Sequence, residues 1–415
     1  MTDKPELLAP AGSPETFVAA YKAGADAFYL GADDFNARKR ARNFSRDELK
    51  EATLFAHRNG RRVYITLNTL LYDDEFPGII DLLSFLEEIR IDGVIVQDLG
   101  LLAMLRDHFP ALPIHASTQM FCHNSQQARY LKNAGASRII LARELSLEEI
   151  RSVAAAVPLE YEVFVHGAMC FSFSGCCLFS SYLHGDSGNR GRCRQPCRRP
   201  YDAGGGAMYP FSMKDLSASS FIGELVASGV SAFKIEGRLR NAAYVSRVVG
   251  MYRALIDGAA AGGASIRAEN RAAPGQRESS GGYFRGREYN RLVAAEKAGS
   301  SGELVGEVVS VKGSELVFAS ESEIAKGSRL RVVDGEGKML HEGTLLDFAR
   351  PRAGLYEWKL TKRMPRASRM LIYHTGESRA FRDWPAIRRE AGMHKYIPLR
   401  LEVALSATEC TVRAH

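Results

Sequence analysis

No run of apolar residues in this 415-residue chain approaches the roughly 20 that a membrane-spanning helix needs. The opening MTDKPELLAPAG has no basic segment leading into an apolar one, so it does not read as a secretory signal, and the expected compartment is the cytoplasm. HExxH is missing, which removes the familiar zinc-peptidase site. CxxC is missing too, and with it the paired knuckles of most structural zinc sites. The first turn reads Ala9–Pro10–Ala11–Gly12–Ser13 rather than GxGxxG, so the dinucleotide-binding fingerprint is absent. A composition of 46% hydrophobic and 25% charged residues excludes disordered, collagen-like and coiled-coil chains.

The residues that are present point to a barrel. Eight short, nearly continuous apolar runs recur through the first 260 residues: Glu6–Ala11, Ala27–Leu30, Val63–Leu67, Gly93–Gln97, Ile114–Ser117, Arg138–Ala142, Tyr161–His166 and Ala232–Glu236. Such runs suit strands buried on both faces. Helix signals separate them. Ser13–Pro14 reads as N-cap and first turn, and Ser45 with Glu48 and Ser146 with Glu149 read as capping boxes. Gly24, Gly60 and Gly135 sit where helices end. The pattern predicts a closed (β/α)8 TIM-type barrel over residues 1–260, with a Cys-rich insertion at 168–230 after the seventh strand. Residues 261–302, rich in Gly, Ala, Ser and Arg, read as a linker or mobile loop. Residues 303–375 alternate like a small C-terminal antiparallel β-barrel. The stretch 376–415 reads as a connector and the start of a further, truncated domain.

Cysteine is the sharpest signal. Five of the seven cysteines fall between Cys170 and Cys197, in HGAMCFSFSGCCLFSSYLHGDSGNRGRCRQPCRR. In a reducing compartment such clustering indicates metal or redox chemistry rather than disulfides. The irregular C-x6-C-x15-C-x3-C spacing suits a loop wrapped around an iron–sulfur cluster; zinc, or no metal, are the alternatives. One of the adjacent Cys176 and Cys177 is expected to be a buried small hydrophobe, because neighbouring side chains in an extended segment point apart.

The run Glu162-x-Phe164-x-His166-Gly167-Ala168-Met169-Cys170, followed by Ser174-Gly175-Cys176-Cys177-Leu178-Phe179-Ser180, resembles the signature of the peptidase U32 (collagenase-like) family. ELLAPAG, FYLG at Phe28–Gly31, FNAR at Phe35–Arg38, HASTQM at His115–Met120 and FKIEGR at Phe233–Arg238 resemble it as well. The resemblance implies a cytoplasmic 4Fe-4S protein in oxygen-independent hydroxylation, with Cys170, Cys177, Cys193 and Cys197 as ligands. It implies a wobble uridine of tRNA, a cytidine of large-subunit rRNA or a ubiquinone precursor as substrate. For the RNA branches it implies prephenate as hydroxyl donor. The quinone branch fits less well: one member has a cysteine near the last barrel strand, where this chain has Lys234 or its neighbours. A connector like Arg379–Arg400 running into a further domain resembles the rRNA branch. A collagenase-like protease and a non-catalytic RNA-binding factor are the other readings.

In a barrel the catalytic residues lie just past the strands' C-terminal ends. His166, Glu236 and Arg238 are therefore the expected catalytic residues, since His166 and Glu236 each end an apolar run before a glycine and should face the pocket. Asn36, Arg38, Asn68, Gln119 and Arg143 are expected to bind substrate from neighbouring loops, with Asp98 more simply a helix cap. Arg190, Arg192, Arg194, Arg198 and Arg199 crowd the last two cysteines, and Arg198 and Arg199 are the expected phosphate or carboxylate contacts. The net charge of +7 and pI near 9.0 agree with an RNA partner, and the missing apolar run leaves no membrane partner expected. Lys326, Arg329, Arg331 and Lys338 on the small barrel offer a second contact.

Overall fold

The computed structural model describes residues 4–38, 42–202, 204, 206–260, 277–295, 302–321, 323–335, 339–360, 362–364, 369–377, 384–390, 392, 401–405 and 410–414. Strands β1 (Glu6–Pro10), β2 (Ala27–Leu30), β3 (Arg62–Leu67), β4 (Gly93–Val96), β5 (Ile114–Ala116), β6 (Arg138–Ile140), β7 (Glu160–Ala168) and β8 (Ala232–Ile235) each fall on one of the predicted runs. They pair in parallel in chain order, and β8 pairs with both β7 and β1, which closes the TIM-type barrel. Helices α1 (Pro14–Lys22), α2 (Arg46–Arg58), α3 (Phe76–Glu88), α4 (Leu99–His108), α5 (Ser125–Asn133) and α6 (Leu147–Ala156) cover it between strands. The three expected N-caps at Ser13, Ser45 and Ser146 all form capping boxes.

The barrel interior is not apolar throughout. Low in it, buried Glu6 accepts from Arg138 at 2.7 Å and from the Tyr64 hydroxyl at 2.9 Å. One layer higher, the Lys234 ammonium meets the fully buried Glu162 at 2.7 Å and lies 4.5 Å from the Tyr29 ring. In these two layers each buried charge has an opposite partner, the condition under which such charges are tolerated.

Between β7 and β8 the chain makes a long excursion with two short helices, α7 (Phe179–His184) and α8 (Ile222–Ala227). Its strand Asp215–Ser217 runs back antiparallel along the end of β7. Helix α9 (Ala242–Ala260) follows β8 and packs on α1.

The linker expected at 261–302 needs correction where it is described. Residues 277–295 are bound to the barrel: Ser279–Ser280 pairs with Asp215–Leu216, Val293 bridges Met213, and Phe284 is buried. The buried Asp215 carboxylate anchors this segment through Arg277 at 3.0 Å and the turn before α9 through Arg240 at 3.1 Å. A Gly/Ser/Arg composition cannot disclose such a long-range anchor. Residues 261–276 and 296–301 lie outside the described set.

Strands β9 (Glu303–Lys312), β10 (Glu315–Ala319), β11 (Ser328–Asp334), β12 (Met339–Thr344), β13 (Phe348–Arg352), β14 (Leu355–Lys359) and β15 (Met370–Glu377) form the C-terminal antiparallel sheet, in the order β12-β11-β15-β9-β10-β14-β13. The sheet curls around Leu316, Phe318, Leu330, Val332, Tyr356, Trp358 and Ile372. Residues 1–380 form one compact unit and 381–415 a second. Taken alone, the second has a helix at Trp384–Glu390 and a hairpin of Leu401–Leu405 with Cys410–Ala414.

Candidate active site

The cysteine insertion is tied to the barrel mouth through Gln119, in the turn after β5. A Cβ on Gly175 would stand 1.8 Å from the Gln119 carbonyl oxygen, and Gly175 has φ +79°, so only glycine lets the two segments touch. The Gln119 amide donates to Gln97 at 2.9 Å and reaches Asn189 of the insertion at 3.5 Å, while Asn68 donates to Gln119 at 2.7 Å. Asn189 in turn donates to the Gly175 carbonyl at 2.9 Å and its own carbonyl accepts from Leu70 N–H at 3.0 Å. Asn68 and Gln119 are thus fasteners between mouth and insertion.

Cys170, Cys177, Cys193 and Cys197 act on one another. The Cys170 thiol donates to Cys177, which lowers Cys177 to about 6 and, with burial, raises Cys170. Cys193 acts on Cys177 and Cys197, and Cys170 acts on Cys197, whose pKa is raised chiefly by burial. Cys176 is exposed, which corrects the expectation that one of the adjacent pair is buried: the two lie in a loop, not in a strand packed on one face. The buried small hydrophobe is Cys122, whose thiol burial pushes up to about 11. Among the described residues no three His, Cys, Asp or Glu side chains are grouped to hold a single metal ion. A polynuclear cluster is wider than one ion and sets its ligands further apart, and four thiols, one of them already shifted toward thiolate, are its usual donor set.

Two expected substrate residues bridge this thiol group and the mouth. Arg38 donates to Glu236 at 3.2 Å, and the guanidinium is held charged by Glu236 first, with Cys193 adding to it. Burial pushes the Glu236 carboxyl up, but Arg38 and Arg143 outweigh it and keep the group below the usual carboxylate range. Arg143 also acts on Cys170 and donates to the Ala168 carbonyl at 2.8 Å. Glu236 is therefore an ionised acceptor, 17% exposed, beside two cations that themselves act on the thiols.

Arg238 has a different position from the one expected. It is buried, donating to Thr66 at 2.8 Å, to Asn36 at 3.2 Å and to Asn43, and burial lowers its pKa to about 10. Fully buried Asn36 completes the brace by donating to the Ala32 carbonyl at 2.7 Å. Arg238 and Asn36 hold the loop after β2 and the end of β3 on the end of β8. Asp98 caps α4 by accepting from Leu101 N–H at 2.9 Å.

His166 does not face the pocket. Its Nδ1 lies 3.3 Å from the Tyr252 hydroxyl, and its ring centroid is 5.5 Å from Tyr252 and 6.1 Å from Tyr244, both on α9. The cause is a bulge in β7: Phe164 pairs with Lys234 but His166 with Ile235, so one extra residue turns His166 to the opposite side. Burial lowers its pKa to about 4, which makes it neutral at pH 7.

The basic loop divides in two. Arg190 pairs with Glu75 at 2.6 Å and Arg194 pairs with Asp186. Arg198 turns inward, donating to the Met169 carbonyl at 2.7 Å and to Ser212 at 3.0 Å, so it braces the segment before Cys170 rather than offering itself to a ligand. Arg192 and Arg199 are exposed, and among the described residues neither side chain has a hydrogen-bond or ion-pair partner, although Arg199 acts on Tyr201. Composition could identify five arginines but not which were already paired. On the curled sheet Arg331 pairs with Glu342 at 3.3 Å, and Lys338 lies outside the described residues.

A closed parallel barrel with a thiol-lined insertion over its C-terminal mouth defines the class. The chain belongs to peptidase family U32, whose profile matches residues 12–293. It is 36% identical over 345 residues to the 23S rRNA 5-hydroxycytidine C2501 synthase of Escherichia coli, covering 79% of this chain and 52% of that protein. It is 37% identical over 270 residues to tRNA hydroxylation protein P1 of Bacillus subtilis, covering 62% of this chain and 64% of that one. It is 34% identical over 273 residues to a collagenase of Porphyromonas gingivalis, covering 61% and 65%. The chain spans about half to two-thirds of the length of these relatives. Among the described residues no helix is long and apolar enough to cross a membrane.

Proposed function

We propose that this chain is an RNA hydroxylase whose target is a cytidine of large-subunit ribosomal RNA, with Cys170, Cys177, Cys193 and Cys197 holding a 4Fe-4S cluster at the barrel mouth. The observation that carries the reading is the joint placement of four mutually interacting thiols with Arg38, Arg143 and Glu236. Such a cluster supplies one-electron chemistry or Lewis acidity where it is bound. The chain's own residues bind and orient. Ionised Glu236 accepts a hydrogen bond from a substrate hydroxyl or amino group. Arg38 and Arg143 balance that charge and meet the carboxylates of prephenate, the proposed oxygen-independent hydroxyl donor. Arg238 and Asn36 keep these loops in register without touching substrate.

Ribosomal RNA is favoured over tRNA because the match to the rRNA synthase covers 79% of this chain, against 62% for tRNA hydroxylation proteins whose matches run over 270 to 316 residues. A peptidase reading has less support. Cys170, the thiol nearest to His166 in sequence, is raised by Cys177 and burial, and no hydrogen bond joins it to His166, which is turned to Tyr252. Mass spectrometry of nucleosides from cells lacking the gene tests the proposal. Loss of a hydroxycytidine from ribosomal RNA is expected. Loss of wobble hydroxyuridine with ribosomal RNA unchanged moves the target to tRNA, and intact modification in both overturns the RNA reading.

A further inference from the structure

Beside the barrel mouth three aromatic side chains stand in a row. Phe121 follows the turn that carries Gln119, and its ring centroid is 6.4 Å from that of His123. His123 in turn lies 5.6 Å from Phe173, on the cysteine insertion. The outer rings are open to solvent, Phe121 by 42% and Phe173 by 64%. Neither is loosely placed. On the N-terminal side of Phe173, Phe171 packs edge-on against Phe211, with centroids 5.0 Å apart. On the C-terminal side, Ser174 donates to Glu144 at 3.0 Å and Gly175 is pressed on Gln119. Both sides of Phe173 are therefore fixed while its own ring stays uncovered. Phe121 has φ +43° and ψ +48°, the left-handed region that an aromatic residue enters only at a cost in free energy. A relaxed backbone at this point suits Asn or Gly. The fold instead holds a strained phenylalanine with its ring outward.

We propose that the Phe121–His123–Phe173 row is a stacking platform for an unpaired base of a single-stranded RNA segment entering the barrel mouth. The proposal rests on the RNA reading above and names the part of the RNA that this face recognises. Aromatic faces accept any unstacked base, whereas a duplex keeps its bases covered. The exposed Arg192 and Arg199 on the same insertion, without hydrogen-bond or ion-pair partners among the described residues, supply the positive charge that a phosphate backbone requires. A second copy of the chain would bring the same cations against each other, which disfavours it as the occupant.

The test is binding of a short fluorescent oligocytidylate to the full chain purified without oxygen, with a short RNA duplex as control. Phe173→Leu is expected to weaken oligocytidylate binding about tenfold, the loss typical of one base stack, and to leave the salt dependence unchanged because no charge is removed. Phe173→Trp is expected to retain binding. Phe121→Asn is expected to weaken binding while the melting temperature holds or rises, a combination that a purely structural residue would not give. Wild-type affinity in Phe173→Leu and Phe121→Asn overturns the platform and leaves the RNA reading standing. Self-association that Phe173→Leu abolishes also overturns it, by assigning the face to a second copy. A wild-type chain that binds no RNA overturns both proposals.

Discussion

His166 and His115 are both buried, and burial lowers the pKa of each, to about 4 for His166 and well below the ordinary value for His115. The folded chain therefore binds fewer protons than the unfolded chain wherever these imidazoles stay neutral and free ones do not. Stability from this source is fully present above about pH 6.5 and is lost as pH falls toward the folded-state values. Each histidine is expected to steepen the loss by about 1.4 kcal/mol per pH unit in that range. His166→Asn is expected to remove one proton's share of the slope between pH 6.5 and 5, measured by urea unfolding at several pH values. An unchanged slope contradicts the buried, neutral His166 packed on Tyr252. If His166 instead served as a proton donor at the mouth, its pKa would have to lie much nearer to neutrality.

At the scale of elements, the cysteine insertion depends on a small number of fasteners. Gly175→Ala puts a methyl group 1.8 Å from the Gln119 carbonyl oxygen at a left-handed position, so the insertion must move. The expected cost is roughly 2 kcal/mol or more, with loss of the proposed cluster and an unchanged barrel signal in far-UV circular dichroism. A Gly175→Ala chain as stable as the wild type contradicts the Gln119 contact as the anchor of the insertion. The barrel itself was legible in the sequence because strands buried on both faces read as apolar runs, and because Ser13, Ser45 and Ser146 announce the helices that follow. Three features were not legible, each for a long-range reason. The Glu162–Lys234 pair joins residues 72 positions apart. The bulge that turns His166 away is visible only in its pairing with β8. The inward course of Arg198 depends on carbonyls at Met169 and Met213. Strict alternation along β7 would have sent His166 into the pocket, and a count of arginines treats Arg198 and Arg199 alike.

At the scale of the whole molecule, a net charge of +7 is an electrostatic attraction for RNA, but only cations without partners contribute phosphate contacts. Replacing Arg192 and Arg199 together with Ala is expected to flatten the dependence of log affinity on log salt by roughly 1.4–1.8, the share of two phosphate contacts. Arg198→Ala is expected to leave that slope nearly unchanged and to lower stability, because it removes a brace and not a ligand contact. An equal effect of Arg198→Ala on the slope contradicts the inward position of its side chain. The four thiols of the insertion are proposed to hold an iron–sulfur cluster over the mouth of the barrel, and iron with acid-labile sulfide, measured on protein purified without oxygen, decides whether they do. About four of each per chain is expected for the wild type and for Cys176→Ser, with loss of both in Cys177→Ser. A wild-type chain without iron and sulfide, or a Cys176→Ser chain that loses them while Cys177→Ser keeps them, contradicts the proposal.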